Sequence, residues 1–418
     1  MPKRLDLKWF SLKWFNRDGK ILLITKFLRT LAFGYLSVAL PFYLKKDALH
    51  LSDSLVGVIL TTALLGGVAF TLIASLIANK VSRRTSLLIF AFLIIYSGIL
   101  LVASTNLILI FLAVFIGSIG VNATETGPFA SLEQAIMPQT TDDKNRTYAF
   151  SVYNLLGYAG ASIGSLLGGL PTVLHANFGF TLINGHHVLF ASYALTGLLL
   201  VISYRSLSHK AELTVNKVKG SGLLGLSKSK RTVAKLSVLF SIDAFGGGFV
   251  IQSVLSLWFQ TKYNASLSDA GTILFVAQLI TAASFLIAGR LAKKIGLLNT
   301  MVFTHFPSNL LLMGVGLAPT FWASVAFLFA RQSLSQMDVP TRQSYMLAII
   351  EPEERNAATS ITNGIRTIAA TTPPSISGYL IDAALLAEPF IFAGAFKILY
   401  DISIYSSFRK IKPPEETK

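Results

Sequence analysis

The 418-residue sequence contains no cysteine, which excludes disulfides and thiol chemistry and leaves the redox compartment unread. It is poor in charge as well. Asp, Glu, Lys and Arg make up 13% of it, where a soluble domain carries about a quarter. Acidic groups are the scarcer kind, 20 against 36 Lys and Arg, for a net charge of +16. There is no glycine loop closed by a lysine of the sort that cradles phosphates: Gly66–Gly67 and the run Gly246–Gly248 both lie in apolar stretches. That argues against a pump driven by ATP. No nucleophile–base pair or metal-ligand constellation stands at a telling spacing, so we expect no enzyme, no metal and no cofactor beyond a proton gradient.

What is present is apolar. Hydrophobic residues make up 53% of the chain, and its mean hydropathy is +0.61. Runs of about 20 residues, long enough to cross a bilayer, follow one another. We place spans at 21–44, 51–79, 85–105, 107–137, 145–174 and 186–204, then at 232–262, 266–294, 298–317, 320–350, 355–383 and 388–408. The resulting domains are a basic, aromatic N-terminal segment (1–20), a six-helix bundle (21–204), a basic linker (205–231), a second bundle (232–408) and a tail (409–418). Alternate loops hold Lys80, Arg83 and Arg84, then Lys144 and Arg146, then the linker, then Arg290, Lys293 and Lys294, then Arg355 and the tail. The opposite loops hold only Lys45, Lys46 and Lys262. The positive-inside rule puts both termini in the cytoplasm of a multi-pass plasma-membrane protein. The basic surplus is thus a topology signal, and no nucleic-acid partner is expected.

The two halves repeat each other. SLIANKVSRR (Ser75–Arg84) is answered by GRLAKKIGLL (Gly289–Leu298). Arg146, Ser151 and Asn154 recur as Arg355, Ser360 and Asn363, each 355 − 146 = 209 positions later. One ancestral membrane unit, duplicated, accounts for both pairs.

These residues resemble the major facilitator superfamily of transporters. Its signature between helices 2 and 3 has the form Gly-x-Leu-Ala-Asp-Arg-x-Gly-Arg-Arg, matched here twice, with Asn79 and Lys293 where the family has aspartate. The resemblance implies an all-α integral membrane fold of twelve helices in two pseudo-symmetric six-helix bundles, with helices 1, 4, 7 and 10 lining a central cavity. It also implies gating or conformational roles for Lys80, Arg83, Arg84, Arg290 and Lys293 between helices 2 and 3 of each half, and for Arg146 and Arg355 at the entries to helices 5 and 11. We expect those two arginines to cap helices and bridge the bundles. Gly160, Gly164 and Gly168 lie four apart on one face, fit either for tight packing or for sliding between halves. Pro373–Pro374 fall mid-span and predict a kink in helix 11.

Ionisable groups in hydrocarbon cost a few kcal/mol and usually face a wet cavity or a partner. The four expected lining helices carry them: Lys26 and Arg29; Glu125 and Glu133; Asp243; Arg331, Asp338 and Arg342. Arg366 is on helix 11. Arg331, Ser335, Asp338 and Arg342, spaced four, three and four, form one stripe on helix 10, and Asn122, Glu125, Phe129 and Glu133 form another on helix 4. A shift of 214 sets Arg29 on Asp243, so the two could pair across the cavity. Glu125 is the first candidate for a proton carrier, unless it is held by Arg29, Arg331 or Arg366; Glu133 is expected to be a gate or packing partner. Lys397 and Asp401, four apart, are expected to pair locally, and His305 to be a packing residue.

The expected function is secondary active transport of a small organic solute by alternating access in a monomer, with proton-coupled export of the antiporter kind first. Proton-coupled uptake of a metabolite or organic anion is the alternative, and a membrane sensor or assembly subunit that has lost transport is the reading from another class.

Overall fold

The computed structural model describes residues 15–77, 80–122, 127–141, 146–208 and 226–411, apart from the side chains at 146–148, 285, 286, 289 and 356. They form seventeen α-helices and no strand. α1 (Arg17–Phe42) runs into a π-turn at Tyr43–Asp47, and α2 (Asp53–Ile77) and α3 (Arg83–Ala103) follow. The fourth span is α4 (Leu107–Gly117) with α5 (Pro128–Ile136), the fifth α6 (Arg146–Leu167) with α7 (Leu170–Phe178), and the sixth α8 (Leu182–Arg205). In the second half, α9 (Lys230–Gly248) and α10 (Gln252–Tyr263) form one span, and α11 (Leu267–Ile295) and α12 (Leu297–Leu317) are single. α13 (Phe321–Ser335) with α14 (Asp338–Ile349), then α15 (Arg355–Ala369) with α16 (Pro373–Asp382), form the tenth and eleventh spans; α17 (Glu388–Phe408) is the twelfth. Five two-helix spans reduce seventeen helices to twelve spans, at the positions expected.

Seven of these spans are long and apolar enough to cross a membrane on length and composition alone. The other five are interrupted or, in α17, carry Lys397 and Asp401. Their polarity has to be met inside protein, because irregular backbone and charge are tolerated at membrane depth only where they are covered. Short polar side chains set many starts: Ser82 caps α3, Asn106 caps α4, Thr181 caps α8, and Ser266 makes a capping box with Asp269 at α11. The two prolines at 373 and 374 do more than kink their helix. They occupy the first turn of α16 after a break at 370–372, where a missing N–H costs nothing.

The chain divides into two compact units, one of Met1–Ser37 and Thr62–Val215, the other of Val38–Thr61 and Asn216–Lys418. Within the first unit, helix 5 packs on helix 1 through glycine. A Cβ at Gly164 would lie 2.1 Å from the Leu31 carbonyl oxygen and 3.0 Å from Gly34 Cα, and one at Gly160 would lie 2.4 Å from Thr30 Oγ1. The glycine face therefore serves close packing inside one unit; Gly168 lies beyond the end of α6. In the second unit, the segment joining α1 to α2 and the first turns of α2 are tied to α10 and α16. Lys45 bonds Asp53 and, at 2.7 Å, Thr261; Ser54 bonds Asp382 at 2.7 Å; the Thr61 and Ser375 hydroxyls are 2.6 Å apart.

Candidate functional site

Among the described residues, each unit buries a charged cluster. In the first, Arg29 of α1 and Glu133 of α5 have fully buried side chains and form a two-point ion pair, Nη2–Oε2 at 2.7 Å and Nη1–Oε1 at 2.8 Å. Thr25 (2.7 Å), Tyr153 (2.8 Å) and Tyr204 (2.8 Å) also donate to Glu133. The guanidinium lies 4.7 Å from the Phe129 ring and bonds the Tyr204 hydroxyl. A carboxylate holding five donors has no lone pair to offer a ligand, so this pair clamps α1 to α5.

The second cluster gathers five elements around Asp243 of α9. Oδ2 accepts from Arg342 of α14 at 2.9 Å and from Arg366 of α15 at 3.4 Å. Oδ1 accepts from Lys397 of α17 at 2.6 Å and faces His305 Nε2 of α12 at 3.7 Å. Arg342 also bridges to Asp338 at 3.0 Å. His305 Nδ1 is 2.7 Å from Asp401 Oδ1, and Asn309 donates to Asp401 Oδ2 at 2.9 Å. Phe240, Met301, Tyr345, Tyr400 and Ile404 make the apolar core beside this network, lowering the local dielectric and strengthening its charge contacts.

The two clusters are versions of one design. Glu133 and Arg342 differ by 342 − 133 = 209 positions, the shift of the internal repeat, and Arg29 and Asp243 by 243 − 29 = 214. The same two spans of each half are joined by one ion pair, with the signs exchanged. Arg29 and Asp243, which by their matched positions could have paired with each other, are each paired inside their own unit. Duplication preserved the position of the clamp and reversed its charges.

Other expectations are corrected. Lys397 turns to Asp243 and Asp401 to His305, so the two do not pair locally; both groups find stronger partners on neighbouring helices. His305 is a polar link between two aspartates, beyond packing. Arg331, Ser335, Asp338 and Arg342 do not share one helix, because the tenth span breaks at Gln336–Met337. Asp338 and Arg342 stay together on α14. Arg331, only 9% exposed, bonds its neighbour Gln332 at 2.9 Å and, among the described residues, leaves Nε without a partner and touches no carboxylate. Asn122 lies half-buried in the turn after α4, and Glu125 falls outside the described residues.

The basic residues expected to gate the bundles are found at helix ends. Arg83 and Arg84 at the start of α3 donate to the Ala135 carbonyl (3.3 Å) and the Arg205 carbonyl, tying α3 to α5 and α8. Arg355 Nε lies 3.4 Å from the Ile350 carbonyl after α14. Lys80, Arg290 and Lys293 are exposed, and the Arg146 side chain is outside the described residues although α6 begins there. Sequence reading missed Tyr153, Tyr204 and Asn309. The spacing of His305 and Asn309, one turn apart, was the available signal for the last.

Twelve spans, an internal repeat and charge clusters enclosed in each half define a two-bundle membrane carrier. Comparison with known proteins identifies the kind. The sequence matches the Major Facilitator Superfamily over residues 22–331 and again over 244–418, and the chain belongs to that family. It is 24% identical over 424 residues to the uncharacterized membrane protein YJR124C of Saccharomyces cerevisiae, covering 94% of each chain. Its fold is similar to that of a D-xylose–proton symporter (TM-score 0.74, 17% identity, 96% of this chain and 99% of that one). It is also similar to the nucleoside transporter NupG (TM-score 0.72, 14% identity, 94% and 100%; D323A mutant). Family and fold make it a multi-pass secondary transporter working by alternating access on a small-molecule substrate.

Proposed function

We propose that this carrier moves a small organic anion coupled to protons. The carrying observation is Arg331: a buried guanidinium with no carboxylate in contact among the described residues and an unpartnered Nε. A cation in a membrane interior without a counter-charge in contact costs several kcal/mol, which an anionic substrate would offset. Charge in the same cluster leans the same way, with Arg331, Arg342, Arg366 and Lys397 against Asp243, Asp338 and Asp401, or 4 − 3 = +1. Export of a cation in exchange for protons drew its support from two carboxylates on helix 4. Glu133, one of them, is committed to Arg29.

The test is solute-driven pH change in dye-loaded proteoliposomes, with a panel of di- and tricarboxylates, organophosphates, neutral sugars and organic cations. Anions are expected to move protons in wild type. Arg331→Gln should reduce that flux about tenfold or more, the equivalent of one charge-assisted contact. Movement of organic cations with no response to any anion would overturn the reading.

A further inference from the structure

α13 ends in a small polar group that stands apart from the ion pairs. Arg331, Gln332 and Ser335 lie on its last turns, where residues three and four apart meet on one side. Gln332 Oε1 accepts from Arg331 Nη1 at 2.9 Å and from the Ser335 hydroxyl at 3.0 Å. Those two donors take both lone pairs of the amide oxygen and fix its direction. Ser335 is buried, so the arrangement is anchored inside protein.

Nη1 is the guanidinium nitrogen on the Cδ side. Bonding it to Gln332 leaves the other edge, Nε–H beside Nη2–H, which carries no hydrogen bond among the described residues. These two N–H groups are parallel and match two oxygens of one carboxylate or phosphate. Asp243 and Asp338 act on Arg331 only from beyond contact, and an oxygen of each is held by Arg342. Gln332 therefore orients the guanidinium with a neutral oxygen and leaves its charge uncancelled. A carboxylate at the same place would steer the group and neutralise it at once.

We propose that Gln332, backed by Ser335, is a positioning residue for the solute: it turns Arg331 so that the Nε–Nη2 edge takes two oxygens of a single oxyanionic group. This rests on the anion reading above and adds that recognition works through a two-oxygen fork, beyond charge alone.

The experiment measures KM and maximal rate in the dye-loaded proteoliposomes. The carboxylates and organophosphates of the panel serve as probes, with chloride as an anion that has no paired oxygens. Oxyanions are expected to move and chloride is not, and the class that moves tells carboxylate from phosphate. Gln332→Leu should raise KM about tenfold, the equivalent of one charge-assisted contact, with the maximal rate little changed. Gln332→Glu keeps the shape but supplies the counter-charge, and should raise KM further than Gln332→Leu. Arg331→Lys keeps the charge without the fork, and should lose as much as Arg331→Gln. If Gln332→Leu does not fold, Ser335→Ala loosens the same amide oxygen and should raise KM by a smaller factor. Wild-type KM in Arg331→Lys or in Gln332→Glu overturns the fork and leaves the anion reading standing, as does chloride moving as fast as the oxyanions. If no oxyanion moves, the anion reading falls and the fork with it.

Discussion

Glu133 and Asp243 are the acidic members of two matched ion pairs, and they are held in different ways. Glu133 takes five donors from four residues in a fully buried setting, whereas Asp243 divides itself among four cationic or titratable groups on four different helices. Breaking a buried pair strands a charge, at about 3–5 kcal/mol, while removing both partners together costs much less. Glu133→Ala and Arg29→Ala should each lower stability by about that amount in denaturant unfolding from mixed micelles. The double variant should recover a good part of the loss. Additive losses would mean that the two groups act independently. The candidate charges were legible in the sequence because an ionisable residue stands out in an apolar span. Their partners were not, since partner choice depends on the rotation of each helix about its axis. Lys397 and Asp401 are one turn apart and still bond different helices.

Helix ends were partly legible. The repeat of 209 set Arg146 and Arg355 together, and both begin helices. Pro373–Pro374 announced a disturbance, and Gly246–Gly248 lies where α9 gives way to α10. The break at Gln336–Met337 had its signal four residues on, in Pro340, which has no N–H to bond the Gln336 carbonyl. At the start of α9 a carboxylate from elsewhere supplies the cap. Glu354 accepts from the Ser227 hydroxyl and amide (both 2.6 Å), the Lys228 amide (2.9 Å) and the Ser229 amide (2.8 Å). The Ser227 side chain first, and then the three amides, hold this carboxyl down at about 2 from its ordinary 4.5. A lowered value means that its stabilisation is present above the ordinary value and is lost as pH falls through about 2. Protection of the Ser227–Ser229 amides against exchange, relative to the intrinsic rate at each pH, should therefore fall between pH 4.5 and about 2. Glu354→Gln should show low protection throughout and little change of protection in that window. Equal pH dependence in both proteins would assign the effect to another group.

Across the whole molecule, the second unit keeps the C-terminal end of α1 and the N-terminal end of α2 although most of both helices belongs to the first. A Cβ at Gly57 would lie 2.5 Å from the Pro374 carbonyl oxygen, and one at Gly378 would lie 2.4 Å from the Asp53 carbonyl oxygen. Close backbone contact of this kind needs glycine on both sides and gives way when either gains a side chain. Alternating access requires such a seam to open and reform once per cycle. The absence of cysteine makes that testable without background labelling. The Thr61 and Ser375 hydroxyl oxygens are 2.6 Å apart, near the ~2 Å of a sulfur–sulfur bond. Thr61→Cys combined with Ser375→Cys should cross-link under mild oxidation and reduce solute flux to the level of empty vesicles. Reduction should restore the flux, and either single variant should be insensitive to oxidant. Full transport with the cross-link formed would show that α2 and α16 stay joined through the cycle, and the opening would then have to be sought at another pair of helices.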